Sequence, residues 1–148
     1  MTSSLIPVAP PSVGRIAIAW LAAYFGAGNV GMRRPQAGQL PYRMVTPVAG
    51  TEDVSRIRRC ATVSVHTFAD SMDDAEYQSE LTHQRMLLLG PPNSGAQTLT
   101  ITMPGNITQT VSPDSITTSQ IPVWADYEDD LIFRFVARYE ICVRFLVR

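Results

Sequence analysis

At 148 residues the chain has room for one domain with a real core, and 1–148 is read as a single unit. Hydrophobic residues at 45% and charged residues at 17% exclude a disordered chain. The formal net charge is −1, so bulk charge does not mark a nucleic-acid binder, yet all 12 basic residues are arginine. Arginine suits bidentate pairing with carboxylates and phosphates and tolerates interfaces. Codon usage in a GC-rich genome would produce the same bias.

Residues 1–11 hold three prolines and no periodicity, which reads as an extended arm or tail. Ser12 is placed to cap a helix from Val13 to about Phe25, with Val13, Ile16, Ala17, Trp20, Leu21 and Tyr24 as its apolar face. That stretch is interrupted by Arg15 and is too short to cross a bilayer, and no basic segment precedes it. Neither a membrane span nor a signal peptide is expected. Residues 26–41 are rich in Gly and Pro and read as a loop. Tyr42–Val48 is a short strand ended by Ala49-Gly50, and Thr51–Ser55 reads as a turn.

Arg56–Phe68 alternates as a second strand. Ile57, Ala61, Val63 and Val65 share one face. Arg56, Arg58, Cys60, Thr62, Ser64 and His66 share the other. A helix then runs from Asp70 or Ser71 to about Leu89, since Ser71-Met72-Asp73-Asp74 has capping spacing and acids favour a helix start. Tyr77, Leu81 and Leu88 mark its expected buried stripe, widened by Met86 and Leu89. Gly90-Pro91-Pro92 stops it. Gln97–Met103 is a strand with Leu99, Ile101 and Met103 inward. Residues 104–123, rich in Thr, Ser and Pro, read as a long loop or a hairpin insertion.

Leu131–Arg148 carries the clearest signal. Leu131, Phe133, Phe135, Ala137, Tyr139, Ile141, Val143, Phe145 and Val147 occupy every odd position. Arg134, Arg138, Arg144 and Arg148 occupy even ones. This alternation predicts a strand with one apolar face and one arginine face. Its length predicts a bend, or two strands meeting at a bulge. The order of elements favours an α+β fold, a mostly antiparallel sheet with helices packed on one face.

No constellation predicts catalysis. Gly26-Ala27-Gly28-Asn29-Val30-Gly31 spells GxGxxG, but a helix precedes it where a dinucleotide turn needs a strand, so no cofactor is expected. His66 and His83 are the only histidines, outside any metal-ligand spacing, and no metal is expected. Cys60 and His66 are too far apart along one strand to act as a nucleophilic pair. Cys60 and Cys142 read as buried reduced thiols by default. Asp126, Glu128, Asp129 and Asp130 form either a solvated turn or an acidic patch that meets arginines of a neighbouring subunit. Arg33, Arg34, Arg56, Arg58 and Arg59 are the candidate other half. Arg134, Arg138, Arg144 and Arg148 are a wet sheet face, a subunit contact, or a lumen lining for a polyanion.

Taken together, these features resemble tail terminator proteins of long-tailed, non-contractile bacteriophages, particularly those infecting actinobacteria. The resemblance rests on an opening helix ending in Trp20-Leu21, on Leu40-Pro41 leading into a short strand that stops at Ala49-Gly50, and on the run from Arg59 to Asp70 entering a helix at Ala75. The closing run Arg138 to Phe145 completes it. It implies a ring-forming α+β subunit, a homohexamer, at the head-proximal end of a virion tail. Such a ring ends tail polymerisation and joins the tail to the head. The implied partners are other copies of the chain, the tail tube protein, a head-side connector or stopper, and genomic DNA in the lumen, without a membrane. The resemblance carries no catalytic residues. The alternatives are a head–tail stopper or connector subunit, or a small nucleotide-binding enzyme.

Overall fold

Two helices pack on one face of a six-stranded sheet in the computed structural model, which describes residues 11–35, 38–52 and 58–144. In chain order the elements are α1 (Val13–Phe25), β1 (Val30–Gly31), β2 (Tyr42–Glu52), β3 (Arg58–Ala69), α2 (Met72–Leu87), β4 (Leu99–Met103), β5 (Ile107–Ala125) and β6 (Phe133–Arg144). The strand order is β1-β2-β3-β6-β5-β4. Only β1 and β2 run parallel; the other pairs are antiparallel. The fold is therefore the expected α+β class.

The strongest periodicity in the sequence becomes the centre of the sheet. β6 pairs with β3 from Arg58 opposite Arg144 to Ala69 opposite Phe133 without a register shift. Phe135, Ala137, Tyr139, Ile141 and Val143 are buried against the helices, beside Val63 and Val65 of β3. Two expectations need correction. Leu131 lies outside the strand and is exposed, and β6 runs unbroken. The bulges belong to its partner β5, between Pro113 and Ser115 and again between Thr118 and Val123.

Of the two readings of residues 104–123, the hairpin is nearer the structure and the long loop is corrected. Most of this stretch is β5, the longest strand among the described residues, and only 104–106 form the turn from β4. Asn106 takes a positive φ of 61° and Gly105 one of 85°, which suits a tight hairpin. Threonine and serine are good strand residues once a neighbouring strand takes their backbone groups. β2 is also longer than expected. It passes through Ala49-Gly50 by a bulge at Val48 and continues to Glu52.

Both helices start where their caps predict. Ser12 Oγ accepts from the Arg15 amide at 3.1 Å, and Ser71 Oγ accepts from the Asp74 amide at 3.2 Å. α1 buries Val13, Ile16, Ala17 and Leu21, whereas Tyr24 is 64% exposed. α2 is rotated from its expected phase. Ala75, Ser79, Thr82 and Met86 face the sheet, while Tyr77 is 61% exposed and Leu88 is also exposed. Small side chains let the helix lie close to the sheet, and they leave room for a buried arginine.

That arginine is Arg43 of β2, on the same face as Val45 and only 2% exposed. Its Nε donates to Thr82 Oγ1 at 3.0 Å and its Nη2 to Gln78 Oε1 at 2.5 Å. The guanidinium lies 3.7 Å from the Phe25 ring centroid. Burial lowers its pKa to about 10, partly offset by the charge of Asp74, so it stays protonated at neutral pH. A second clasp joins the helices. Trp20 Nε1 donates to the Arg85 carbonyl at 2.7 Å, and Arg85 Nη2 donates to the Trp20 carbonyl at 3.0 Å. Arg85 also stacks 3.5 Å over the Trp20 ring.

The cysteines are not free thiols. Cys60 and Cys142 face each other across β3 and β6 and form a disulfide. They are 82 residues apart in sequence, and only the register of two distant strands brings them together. The GAGNVG segment begins as the C-cap of α1, with Gly26 at φ 95°, and ends as β1. A Cβ at Gly31 would stand 2.5 Å from the Tyr42 hydroxyl, so this glycine lets the Tyr42 side chain lie close against the backbone.

Truncating Ile141 to Ala is expected to cost about 2–5 kcal/mol, measured by urea unfolding. Arg43→Ala is expected to cost about 3 kcal/mol, because Thr82 and Gln78 lose a buried charged donor. Arg43→Met, which keeps the stem and removes the charge, should cost clearly less in the same assay.

Candidate functional site

The sheet face opposite the helices carries the arginines. Alternation along β3 puts Arg58, Cys60, Thr62, Ser64, His66 and Phe68 there, and alternation along β6 adds Arg134, Val136, Arg138, Glu140, Cys142 and Arg144. Register fixes the neighbours: Arg138 lies between Ser64 and Gln120, and Glu140 between Thr62 and Thr117. Arg138 and Arg144 are exposed to solvent. This surface offers cationic hydrogen-bond donors spaced along two adjacent strands, which suits carboxylate or phosphate oxygens.

At one end of this face Arg58 and Arg144 sit directly opposite each other, a repulsive pairing on its own. Asp114 resolves it by accepting from both Nε atoms at 3.2 Å. Asp114 lies at a β5 bulge inside the stretch read from sequence as a long loop or hairpin insertion, so nothing in the sequence marked its role. Arg59 points the other way and pairs with Glu52 at 2.9 Å.

At the opposite end, an aromatic stack gathers a second set. The Tyr127 ring meets the Phe68 ring edge-on, with centroids 5.0 Å apart. Arg34 lies 5.9 Å and Arg134 5.5 Å from the Tyr127 ring centroid. Arg134 Nη2 also donates to the Asp126 carbonyl at 2.5 Å. Arg33 is exposed, and its carbonyl accepts from the Tyr42 hydroxyl at 2.8 Å. The acidic turn is therefore next to Arg34 within one chain. Asp126, Glu128, Asp129 and Asp130 are all exposed, and Asp129 Oδ1 accepts from the Leu131 amide at 2.9 Å. The structure thus splits the candidate arginines: Arg33, Arg34 and Arg134 stand at the acidic end, Arg58, Arg59 and Arg144 at the other. Arg56 and Arg148 lie outside the described residues.

Both histidines have structural surroundings. His83 Nδ1 lies 2.6 Å from the Tyr139 hydroxyl, which is fully buried and whose pKa burial raises. His66 is half-buried on the arginine face, and its Nδ1 has no hydrogen-bond partner among the described residues. Burial first, then the charges of Arg134 and Arg138, push its pKa down to about 4. Among the described residues no group of three or more His, Cys, Asp or Glu is arranged to hold a metal ion. No helix of the described residues is long and apolar enough to cross a membrane.

His66 makes the arginine face acid-sensitive. Its folded-state pKa lies below the ordinary value near 6.5, so the unfolded chain binds the proton first as pH falls. Stability should drop between about pH 6.5 and about pH 4 and gain no further loss from this group below that. His66→Gln should flatten that part of the melting-temperature profile relative to the parent chain, read by thermal denaturation at each pH.

No known family profile matches the sequence, and no curated protein is similar to it in sequence. The fold does have a solved counterpart. A chain from the virion of a native gene transfer agent particle is similar with a TM-score of 0.51 at 11% identity, and the match covers 84% of each chain.

Proposed function

We propose that this chain is a structural virion subunit, forming a ring at the head-proximal end of a long-tailed phage tail tube. The observation that carries the reading is a likeness of fold, over 84% of both chains, to a subunit of a phage-like particle. The tail-terminator resemblance in the order of elements narrows it to the end of the tail. In this role the helix-side core keeps the subunit rigid, and the arginine face of β3 and β6 serves contacts outside the subunit.

The ring ends polymerisation of the tail tube and presents a surface to the head-side connector. Arg138 and Arg144, exposed on the open face, are the residues best placed to meet DNA phosphates in a lumen. Symmetry multiplies each arginine by the number of subunits, so a small cationic patch becomes a cationic belt. Near-zero net charge of the whole chain fits a passage that must not hold DNA tightly.

Removing the chain from a phage that encodes it should give tails of irregular, extended length by electron microscopy. Tails of normal length that fail to join heads would move the assignment to a stopper subunit. Normal infectious particles would rule out both.

A further inference from the structure

The two ends of the arginine face differ in how their cations are matched. At one end Asp114 holds both Arg58 and Arg144. At the other stand Arg34, Arg134 and Arg138. Among the described residues no carboxylate oxygen lies within ion-pair distance of any of these three. Arg34 and Arg134 are held by neutral partners instead. Arg34 Nη1 donates to the Pro35 carbonyl, and Arg134 Nη2 donates to the Asp126 carbonyl. Arg34 lies 5.5 Å from the Phe68 ring centroid, and both guanidinium groups sit beside the Tyr127 ring. These contacts position two charges without neutralising them.

The same place gathers unused hydrogen-bonding atoms. Arg34 Nε, Arg134 Nε and His66 Nδ1 are buried and have no hydrogen-bond partner among the described residues. The His66 ring stacks on Phe68 with centroids 6.4 Å apart, and the charges of Arg134 and Arg138 both act on it. With its proton on Nδ1 the neutral imidazole is a third donor beside the two guanidinium groups. Buried donors left unpaired cost stability, and they mark a place that an ordered water or an ion completes. Uncompensated positive charge at that place makes an anion the better match. Arg34, His66 and Arg134 are each only half-buried, so their outer atoms are open to solvent.

We propose that Arg34, His66 and Arg134, with Arg138 beside them, form an oxyanion site that takes a phosphate group. A phosphate brings more acceptor oxygens and more charge than a carboxylate, so it satisfies several donors at once. The residues come from β3, β6 and the segment before β2, so only the folded sheet assembles them. The exposed carboxylates of Asp126, Glu128, Asp129 and Asp130 stand on the turn beside the site. They favour a phosphate contacted locally over a polyanion held along its length. The site goes beyond the ring reading and does not depend on it. That reading supplies one source of the phosphate, the DNA backbone; a free phosphate or mononucleotide is the other.

The test titrates inorganic phosphate into the full chain at constant ionic strength and follows the histidine ring signals by NMR. A saturable shift of the His66 signal with His83 unmoved supports the site. Arg34→Gln and Arg134→Gln should each weaken that binding about tenfold or more, whereas Arg15→Gln on α1 should leave it unchanged. Circular dichroism checks that each variant keeps its fold. Arg138→Gln, at an exposed position, should weaken binding in the same direction and serves where the other two disturb the structure. No saturable shift, equal movement of both histidines, an equal response to acetate, or undiminished binding in the folded variants overturns the site and leaves the ring reading standing. Competition by a short DNA duplex, lost in Arg34→Gln, supports the site with the backbone phosphate as its source. Phosphate binding that the duplex does not displace supports it with free phosphate or a mononucleotide.

Discussion

The pairing of β3 with β6 is the constraint on which the rest of this molecule depends. It joins the middle of the chain to its end through unbroken antiparallel register from Arg58–Arg144 to Ala69–Phe133. Side chains alternate with period two, so a slip of one residue would carry Tyr139, Ile141 and Val143 into water and bring Arg138, Glu140 and Arg144 against the helices. The buried odd positions of β6 set that register. The Cys60–Cys142 disulfide and the shared hold of Asp114 on Arg58 and Arg144 are consequences of it, since each needs residues from both strands at one level.

The helix layer answers a different physical demand. A buried guanidinium costs desolvation, and Arg43 is tolerated because Thr82, Gln78 and the Phe25 ring surround it. Those partners come from both helices, so Arg43 ties β2 to α1 and α2 together. The Trp20–Arg85 clasp does the same from helix to helix, with each residue donating to the other's carbonyl. A layer fixed this way leaves the opposite sheet face free to specialise. That face keeps its cations on β3 and β6, and the turn between β5 and β6 carries exposed carboxylates at one end of it.

Much of the fold was legible in sequence because it is local. Ser12 and Ser71 announced α1 and α2, Gly90-Pro91-Pro92 ended the second helix region, and alternation announced β3, β4 and β6. What was not legible depended on partners far away. β5 was open between a loop and a hairpin because Thr, Ser and Pro are ambiguous until β4 and β6 take up its backbone groups. The phase of α2 was misread because large apolar residues were taken as buried, whereas Ala75, Ser79 and Thr82 face the sheet around Arg43. An arginine in phase with Val45 was the available signal, and it pointed to a polar pocket beneath a helix.

By itself the amino-acid order determined the class of fold, the capped helix starts, and which face of β6 is apolar, because caps and periodicity act between near neighbours. Only tertiary structure decided that Cys60 meets Cys142, that Asp114 serves two arginines, and that the acidic turn shares one end of the sheet with Arg34 while Arg58 and Arg144 stand at the other. Those outcomes follow from register between strands distant in sequence, and register is set by the sum of the packing across the sheet and not by any local run of residues.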